Sequence, residues 1–300
     1  MNLAGVNGSI AVSKTEGRGS NPWRGAKYLV LLLAFVSCFS YGHEKRKKVK
    51  PAVHHSEISY LVYNDTKNVN VYSRNIEQVR PIASVTKLMT AMVTLNYDLN
   101  LDRKLKINSK VGGTLPRNKQ YTREELLNAM LVRSDNSAAE TLASDYPGGR
   151  QAFIRDMNKF ATYNNMKSTN FDDPTGLSAN NISTATDLAA MISKAAQYTF
   201  IREISTKKQV EIDVPYKKVH RKLVLNNTNR PILFGFEDIV VSKTGFTSRA
   251  GFCLGLAVER NNQRYAIVIL GTNNVKTRIA TAQDILNNHI TIEEEKVVDK

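Results

Sequence analysis

Strand-type segments lie at both ends of this 300-residue chain, and the part between them is mostly helical. Residues 58–63 and 69–72 are β-rich and flank a polar stretch, which indicates a hairpin. Strand patterns return in the C-terminal part, first over 210–214, 222–225 and 239–242, and then over 252–259 and 265–270, which indicate a second hairpin. This order predicts an α+β fold in which both ends of the chain build one antiparallel sheet, flanked by helices, with a helical insert at about 99–206.

Helical periodicity is clearest in three segments. Residues 84–95 place their apolar side chains on one side of a helix, and Ser84 stands where it could cap the first turn. Residues 122–132 open with Thr122-Arg-Glu-Glu125, a capping-box pattern. A last helix over 277–289 would close the domain.

The first 42 residues are typical of an export signal. Arg24 and Lys27 precede an apolar run over 28–39, and small residues follow it. The run is too short for a comfortable membrane span, so we expect cleavage and release to the periplasm. Retention as an anchor and lipidation of Cys38 are the alternatives, although the residues before Cys38 fit a lipidation signal poorly.

The rest of the chain is predicted to divide into a basic linker over 43–57, a folded domain over 58–290 and a short tail over 291–300. The formal net charge of the whole chain is +15. A positive field favours encounters with polyanionic envelope material, so we expect a peripheral association with the envelope. No nucleic-acid motif accompanies the charge, and nucleic acid is not an expected partner. Removal of the signal would leave Cys253 as a lone cysteine, which predicts a small buried side chain and no internal disulfide.

Three short strings carry the chemistry of the chain. Ser84-Val-Thr-Lys87 opens a predicted helix, Ser134-Asp-Asn136 lies in the helical middle, and Lys243-Thr-Gly245 ends a β-rich run. Each string alone is a weak signal, because S-x-x-K also occurs at Ser205-Thr-Lys-Lys208. Their order and their structural contexts select this set of three.

The first string can supply a nucleophile together with its base. Residues three apart lie on the same face of a helix, so Lys87 can reach the Ser84 hydroxyl. A serine hydroxyl becomes a good nucleophile only when a base takes its proton. Lysine can be that base if burial beside another cation lowers its pKa, and Lys243 is the expected second cation.

The other two strings suit the binding of a substrate. Ser134 can relay a proton towards the leaving amine, and Asn136 can form a hydrogen bond with a substrate amide. Lys243 and Thr244 suit a carboxylate, and Gly245 permits close approach of the backbone.

The backbone N–H groups of Ser84 and Phe246 are expected to form an oxyanion hole. The five histidines of the chain show no motif context, and we expect neither a metal nor a cofactor. Glu124-Glu-Leu-Leu-Asn128 matches a deacylation motif of class A β-lactamases, but it precedes Ser134 rather than following it. We therefore interpret it as an ordinary helix start.

These strings and their surroundings resemble the low-molecular-mass penicillin-binding proteins, in particular the D-alanyl-D-alanine carboxypeptidase/endopeptidase family. The resemblance includes the residues around Ser84, Ser134 and Lys243, and also Asp173-Pro-Thr-Gly-Leu177. It implies a β-lactamase/transpeptidase-like fold, an acyl-enzyme on Ser84, hydrolysis of peptidoglycan stem peptides and cross-links, and covalent inhibition by β-lactams such as penicillin.

The segment that follows the predicted catalytic domain indicates the subtype. Carboxypeptidases of the family add a C-terminal β-domain and a membrane anchor, and little chain follows the last predicted strand here. Together with Tyr146-Pro-Gly-Gly149, this favours a D,D-endopeptidase of the penicillin-binding protein 7 type. A carboxypeptidase that trims terminal D-Ala is the alternative, and a non-catalytic peptidoglycan-binding protein is a third reading.

Overall fold

The computed structural model of the protein describes residues 57–97, 100–216 and 219–290, all within one compact unit, Lys45–Lys300. The predicted export signal, the predicted tail and all but the last residue of the predicted linker lie outside the described residues. Within those described, no helix combines the length and the apolar character that a bilayer crossing needs.

A five-stranded antiparallel sheet forms the centre of the fold. From one edge to the other its strands are β2 (Val69–Arg74), β1 (Ser59–Asn64), β11 (Gln263–Thr272), β10 (Gly251–Arg260) and β9 (Ile239–Thr247). Both ends of the chain therefore build the sheet, and the predicted α+β class is confirmed. The register places Leu61, Val268, Gly255 and Lys243 in one row across four neighbouring strands.

The remaining strands form two-stranded sheets of their own. They are β3 (Arg80–Pro81) with β6 (Ile182–Ser183), β4 (Lys104–Lys106) with β5 (Gln120–Thr122), and β7 (Gln209–Tyr216) with β8 (Val219–Asn226). The expectation that the C-terminal strands all join one sheet is wrong for β7 and β8. Ile212 of β7 and Leu225 of β8 are buried, and both strands contact the helix of the insert at Arg123–Val132.

The helices are α1 (Thr86–Asn96), α2 (Arg123–Val132), α3 (Asn136–Ser144), α4 (Gly149–Tyr163), α5 (Ala185–Ala195), α6 (Thr199–Ser205), α7 (Arg230–Leu233) and α8 (Val275–Asp284). A 3-10 turn, Ala83–Val85, precedes α1, and a π-helical turn, Ile285–His289, follows α8. Ser84 lies inside the 3-10 turn, and α1 starts without a side-chain cap. The prediction that Ser84 caps the helix was wrong because its hydroxyl is used elsewhere.

Side-chain caps fix the start of several helices. The predicted capping box of α2 is present, since Thr122 accepts from the Glu125 N–H and the Glu125 carboxylate accepts from the Thr122 N–H. Thr184 caps α5 in the same way by accepting from the Asp187 N–H. Each such cap contributes about 1 kcal/mol to helix stability.

Apolar layers cover both faces of the central strands. The larger layer contains α1, α2 and α5, and α1 is buried on all sides and not only on its predicted apolar side. The smaller layer lies under α8 and the π-helical turn. Cys253 on β10 is fully buried and free, as its apolar surroundings predict. The Ser84 turn sits where α1 meets β9, at one edge of the sheet.

Candidate active site

The turn that carries Ser84 has an unusual backbone. Ala83 adopts a left-handed conformation with φ of 47°, which costs a non-glycine residue about 1–2 kcal/mol. Two glycines pack closely against this turn. A Cβ on Gly176 would lie 1.9 Å from the Ala83 carbonyl oxygen, and a Cβ on Gly245 would lie 2.9 Å from the Ser84 nitrogen. The surrounding chain therefore holds the turn in its strained form.

Lys87 lies one helical turn after Ser84 and is completely buried. Its Nζ donates to Ser84 Oγ at 2.8 Å, to Asn136 Oδ1 at 2.7 Å and to the Thr175 carbonyl at 2.6 Å. Burial lowers the pKa of Lys87 to about 7, against the opposing attraction of nearby carboxylates. The amine is therefore poised to exchange a proton with Ser84 at neutral pH.

The loop that supplies the Thr175 carbonyl is ordered by Asp173. The Asp173 carboxylate accepts from the backbone N–H groups of Thr175, Gly176 and Ser178 and from the Thr175 hydroxyl. This local network fixes the carbonyl that faces Lys87. The Asp173-Pro-Thr-Gly string is the sequence signal for this loop, but nothing in that string indicates that the backbone of the loop contacts Lys87.

Ser134, Asp135 and Asn136 form the second side of the cleft. Ser134 has a left-handed φ of 63° and lies two residues before α3 starts at Asn136. Asp135 caps α3 by accepting from the Ala138 N–H, and it also accepts from the backbone N–H groups of Thr114 and Leu115. Asp135 thus holds a neighbouring loop in place, and the two flanking residues face the lysines.

Lys243 approaches from β9 and is 1% exposed. Its Nζ donates to Ser134 Oγ at 3.0 Å and to the Thr244 carbonyl at 2.9 Å. Burial and the positive charges of Lys87 and Arg278 hold the pKa of Lys243 well below its usual value. The sequence predicts that each lysine's charge lowers the pKa of the other. The positive charge of Lys87 does lower the pKa of Lys243, whereas the lowered pKa of Lys87 is due to its burial.

The rest of the β9 string lies beside the nucleophile. The Thr244 hydroxyl donates to Thr228 Oγ1 at 2.6 Å, a partner that the sequence did not indicate. Gly245 permits a close approach, as predicted, but the group that approaches is the Ser84 turn of the same chain. Phe246 follows at the rim, 54% exposed, and stacks on Phe252.

The structure brings the predicted residues of all three strings into one cleft. Lys87 and Lys243 each contact a different serine, and Asn136 contacts Lys87, which the sequence did not indicate. Arg278 is a further residue that sequence reasoning missed, and its buried guanidinium acts on Lys243 from α8. Glu124 and Glu125 belong to the first turn of α2, where Glu125 completes the capping box.

A hydroxyl and an amine at hydrogen-bond distance, with the amine near its titration point, can carry out acyl transfer without an imidazole. This fold and this site define the class of serine acyl-transfer enzymes. Comparison with known proteins gives the family. The profile described as D-alanyl-D-alanine carboxypeptidase matches residues 45–274. The chain belongs to that family and is a serine-type D-Ala-D-Ala peptidase, as the sequence predicts.

Individual relatives support the assignment. The D-alanyl-D-alanine endopeptidase of Escherichia coli is 38% identical over 231 residues, which covers 75% of this chain and 74% of that protein. The enzyme of the same name from Pseudomonas aeruginosa has the same identity and coverage. The crystal structure of the Streptomyces K15 DD-transpeptidase matches with a TM-score of 0.71 at 26% identity, covering 80% of this chain and 98% of that one. Penicillin-binding protein D2 of Listeria monocytogenes, solved with ampicillin bound, matches with a TM-score of 0.67 at 28% identity, covering 79% of this chain and 98% of that one. The predicted transpeptidase-like fold is confirmed.

Proposed function

We propose that this protein is an exported D,D-endopeptidase that hydrolyses D-Ala cross-links of peptidoglycan through an acyl-enzyme on Ser84, and that penicillin acylates the same serine. The observation that carries the proposal is the 2.8 Å contact between the fully buried Lys87 Nζ and Ser84 Oγ. The names of relatives at 38% identity favour cleavage of cross-links.

Acylation follows from this contact. Neutral Lys87 takes the proton of Ser84 Oγ as the oxygen attacks the D-alanyl carbonyl carbon. Backbone N–H groups of Ser84 and Phe246 would stabilise the oxyanion, typically worth about 10²–10³ in rate for each donor. When the tetrahedral intermediate collapses, the C–N bond breaks and the leaving amine takes a proton from Ser134. Lys243, bound to Ser134 Oγ, would replace that proton.

Deacylation runs through the same groups. Lys87, protonated in the first step, returns its proton through the Ser134–Lys243 side of the cleft and becomes a base again. A water molecule then attacks the acyl carbonyl as Lys87 accepts its proton, and Ser84 leaves with a proton as the free hydroxyl. Asn136 and Thr244 would orient the substrate amide and carboxylate.

Labelling with a fluorescent penicillin tests the acyl-enzyme. The purified protein should form a covalent adduct that survives denaturing electrophoresis, and Ser84→Ala should form none. Ser205→Ala is the matched control, because Ser205 opens the other S-x-x-K string and lies outside the cleft, where its hydroxyl accepts from the Ser242 N–H. An adduct that persists in Ser84→Ala would exclude Ser84 as the nucleophile.

Digestion of purified sacculi separates endopeptidase from carboxypeptidase activity. Mass spectrometry should show loss of cross-linked dimers, with a matching gain of monomers. A carboxypeptidase, the activity named for a Bacillus subtilis relative at 28% identity, would instead shorten pentapeptides by one alanine. Sacculus binding without any product would favour the non-catalytic reading. Sequencing the N terminus of protein recovered from the periplasm tests export and cleavage after the signal.

A further inference from the structure

A groove separate from the catalytic cleft lies between α5 and the β1–β2 edge of the sheet, and we name it the α5 groove. Its volume is about 350 Å³, which is in the range of small-molecule sites. Residues of α5 three or four apart line one wall, and β1 and β2 line the other. Leu61, Ala189 and Ala190 give the groove a small apolar floor.

The α5 groove contains a hydroxyl that lacks a partner. Ser193 lines the groove and is 7% exposed. Its Oγ has no hydrogen-bond partner anywhere in residues 57–97, 100–216 and 219–290. A buried hydroxyl without a partner costs about 1–3 kcal/mol, and such groups in native proteins call for an explanation. A ligand that donates to or accepts from Ser193 would remove this cost.

The other polar groups of the groove indicate the chemistry of that ligand. Asn70 and Gln197 offer side-chain amides, and both are exposed at the rim. Asp65 is neutralised by Arg264, whose Nε lies 2.8 Å away, so Lys194 supplies the one unbalanced charge among the residues that line the groove. Two amides, a hydroxyl and a single ammonium suit a neutral ligand rich in hydroxyl groups better than a strongly anionic one, for which arginine forks are the usual partners.

The floor adds a requirement for a small apolar group. Ala189, Ala190 and Leu61 line the same groove as Ser193 and contribute only apolar side chains to it. An acetamido group meets both conditions, because its methyl can lie on the alanines while its N–H or C=O bonds with Ser193. The hydroxyl groups of a sugar ring would then reach Lys194 and the rim amides.

The position of the groove separates it from the reacting bond. Leu61 and Lys243 lie in the same row of the sheet, three strand spacings apart, or roughly 14 Å. The helix α5 packs on the sheet over this distance. A ligand in the groove therefore cannot reach Ser84, and it would be a part of the substrate remote from the scissile peptide.

We propose that the α5 groove binds an N-acetylated amino sugar of the glycan strands and so holds the enzyme on its insoluble substrate. The proposal rests on the proposed function, since it takes peptidoglycan as the substrate. It assigns the groove a role in substrate capture and none in the chemical step.

Sugar binding can be measured by saturation-transfer NMR on the mature protein. The cleft is first blocked with penicillin, and N-acetylglucosamine, glucosamine and glucose are then compared as probes, with inorganic phosphate as a competitor. We expect saturable transfer to the acetamido methyl of N-acetylglucosamine only. Ser193→Leu, which fills the groove, should abolish it. Ser144→Leu is the matched control, because Ser144 lines another cavity of about 370 Å³ beside α3.

The same variants should show whether the α5 groove affects substrate binding or the chemical step. Ser193→Leu should lower the rate of sacculus digestion about fivefold to tenfold at low substrate, as expected for the loss of one or two hydrogen bonds. Its rate of acylation by soluble penicillin should match that of the unmodified protein. If Ser193→Leu does not fold by circular dichroism, the rim variant Lys194→Ala/Gln197→Ala takes its place.

Three outcomes would overturn the proposal: equal binding of glucose, displacement of the sugar by phosphate, or sacculus digestion unchanged in a folded groove variant. Failure of penicillin labelling would count against the proposed function instead, and sugar binding to the unblocked protein could still be measured.

Discussion

The cleft contains two serine–lysine pairs that differ in how the fold makes them. Ser84 and Lys87 are three residues apart, and one turn of chain is enough to bring them together. Ser134 and Lys243 are 109 residues apart and meet only when a loop of the insert docks on the edge strand of the sheet. The first pair therefore depends on local helical structure, and the second depends on the tertiary fold. The difference is consistent with the roles proposed above, in which the first pair makes the attack and the second returns the proton and binds the substrate.

Replacing each lysine by methionine tests this division most directly. Lys87→Met removes the base, and penicillin acylation should fall by about 10²–10⁴, the range for general base catalysis. Lys243→Met removes the hydrogen-bond donor to Ser134 and leaves that hydroxyl without it, and the loss should be about tenfold to hundredfold. Stopped-flow acylation measures both. Equal losses in the two variants would mean that the pairs do not have separate roles.

Gly245 joins the two pairs, and its substitution should disturb both. A Cβ at Gly245 would meet the Ser84 nitrogen at 2.9 Å, so Gly245→Ala must push β9 away from the nucleophile turn. A displacement of this kind costs about 10² in rate. Gly255→Ala on the next strand is the control, because its Cβ would crowd only the flexible end of Ile192, at 2.8 Å, and would lie in ordinary van der Waals contact with Val85 at 3.5 Å. If Gly245→Ala were acylated at the wild-type rate, the close packing of β9 on this turn would be disproved.

The pH dependence of acylation should report the first pair. The pKa of Lys87 is about 7, and only the neutral amine can accept the Ser84 proton. The rate should therefore rise about tenfold per unit below pH 7 and level off above it. Measurement between pH 5 and pH 9, with a thermal melt at each pH to check folding, gives the profile. A flat rate through pH 7 would rule out Lys87 as the titrating base.

Asp135 is expected to have the smallest effect, and mainly on stability. Asp135→Ala removes the α3 cap and the acceptor for two loop N–H groups, which should lower the free energy of unfolding by about 1–3 kcal/mol. Thr184→Ala removes a cap alone and serves as the control. Urea unfolding measures both, and their difference gives the joint contribution of the anchored loop and of the Ser137 hydroxyl, which also donates to Asp135. No difference would mean that the loop does not depend on Asp135.

The same contrast explains what the sequence could and could not predict. Ser84 with Lys87, the capping box at Thr122 and the two hairpins of the central sheet depend on neighbours in sequence, so periodicity and short motifs reveal them. The Thr175 carbonyl at Lys87 and the packing of Gly245 on the Ser84 turn are contacts between distant segments. No single-segment pattern encodes them.

Two structural predictions failed for related reasons. The β7–β8 hairpin has a strand pattern like the others, but which surface a hairpin packs on depends on the rest of the fold. Ser84 has the residue type and the position of a helix cap, yet its hydroxyl contacts Lys87 instead. The local preference of serine for a helix cap was therefore overridden at the proposed active site.

The strand order has a consequence for when the protein can act. β1, made early, pairs on one side with β2 and on the other only with β11, which lies near the C-terminal end of the residues that the structure describes. β9 and its lysine are held in the sheet through β10, which in turn pairs with β11. A nascent or truncated polypeptide that stops before residue 263 would carry Ser84, Lys87 and Lys243 but would lack the strand that joins β9 and β10 to β1. Wall-cutting activity would therefore begin only when the whole domain has been synthesised and folded.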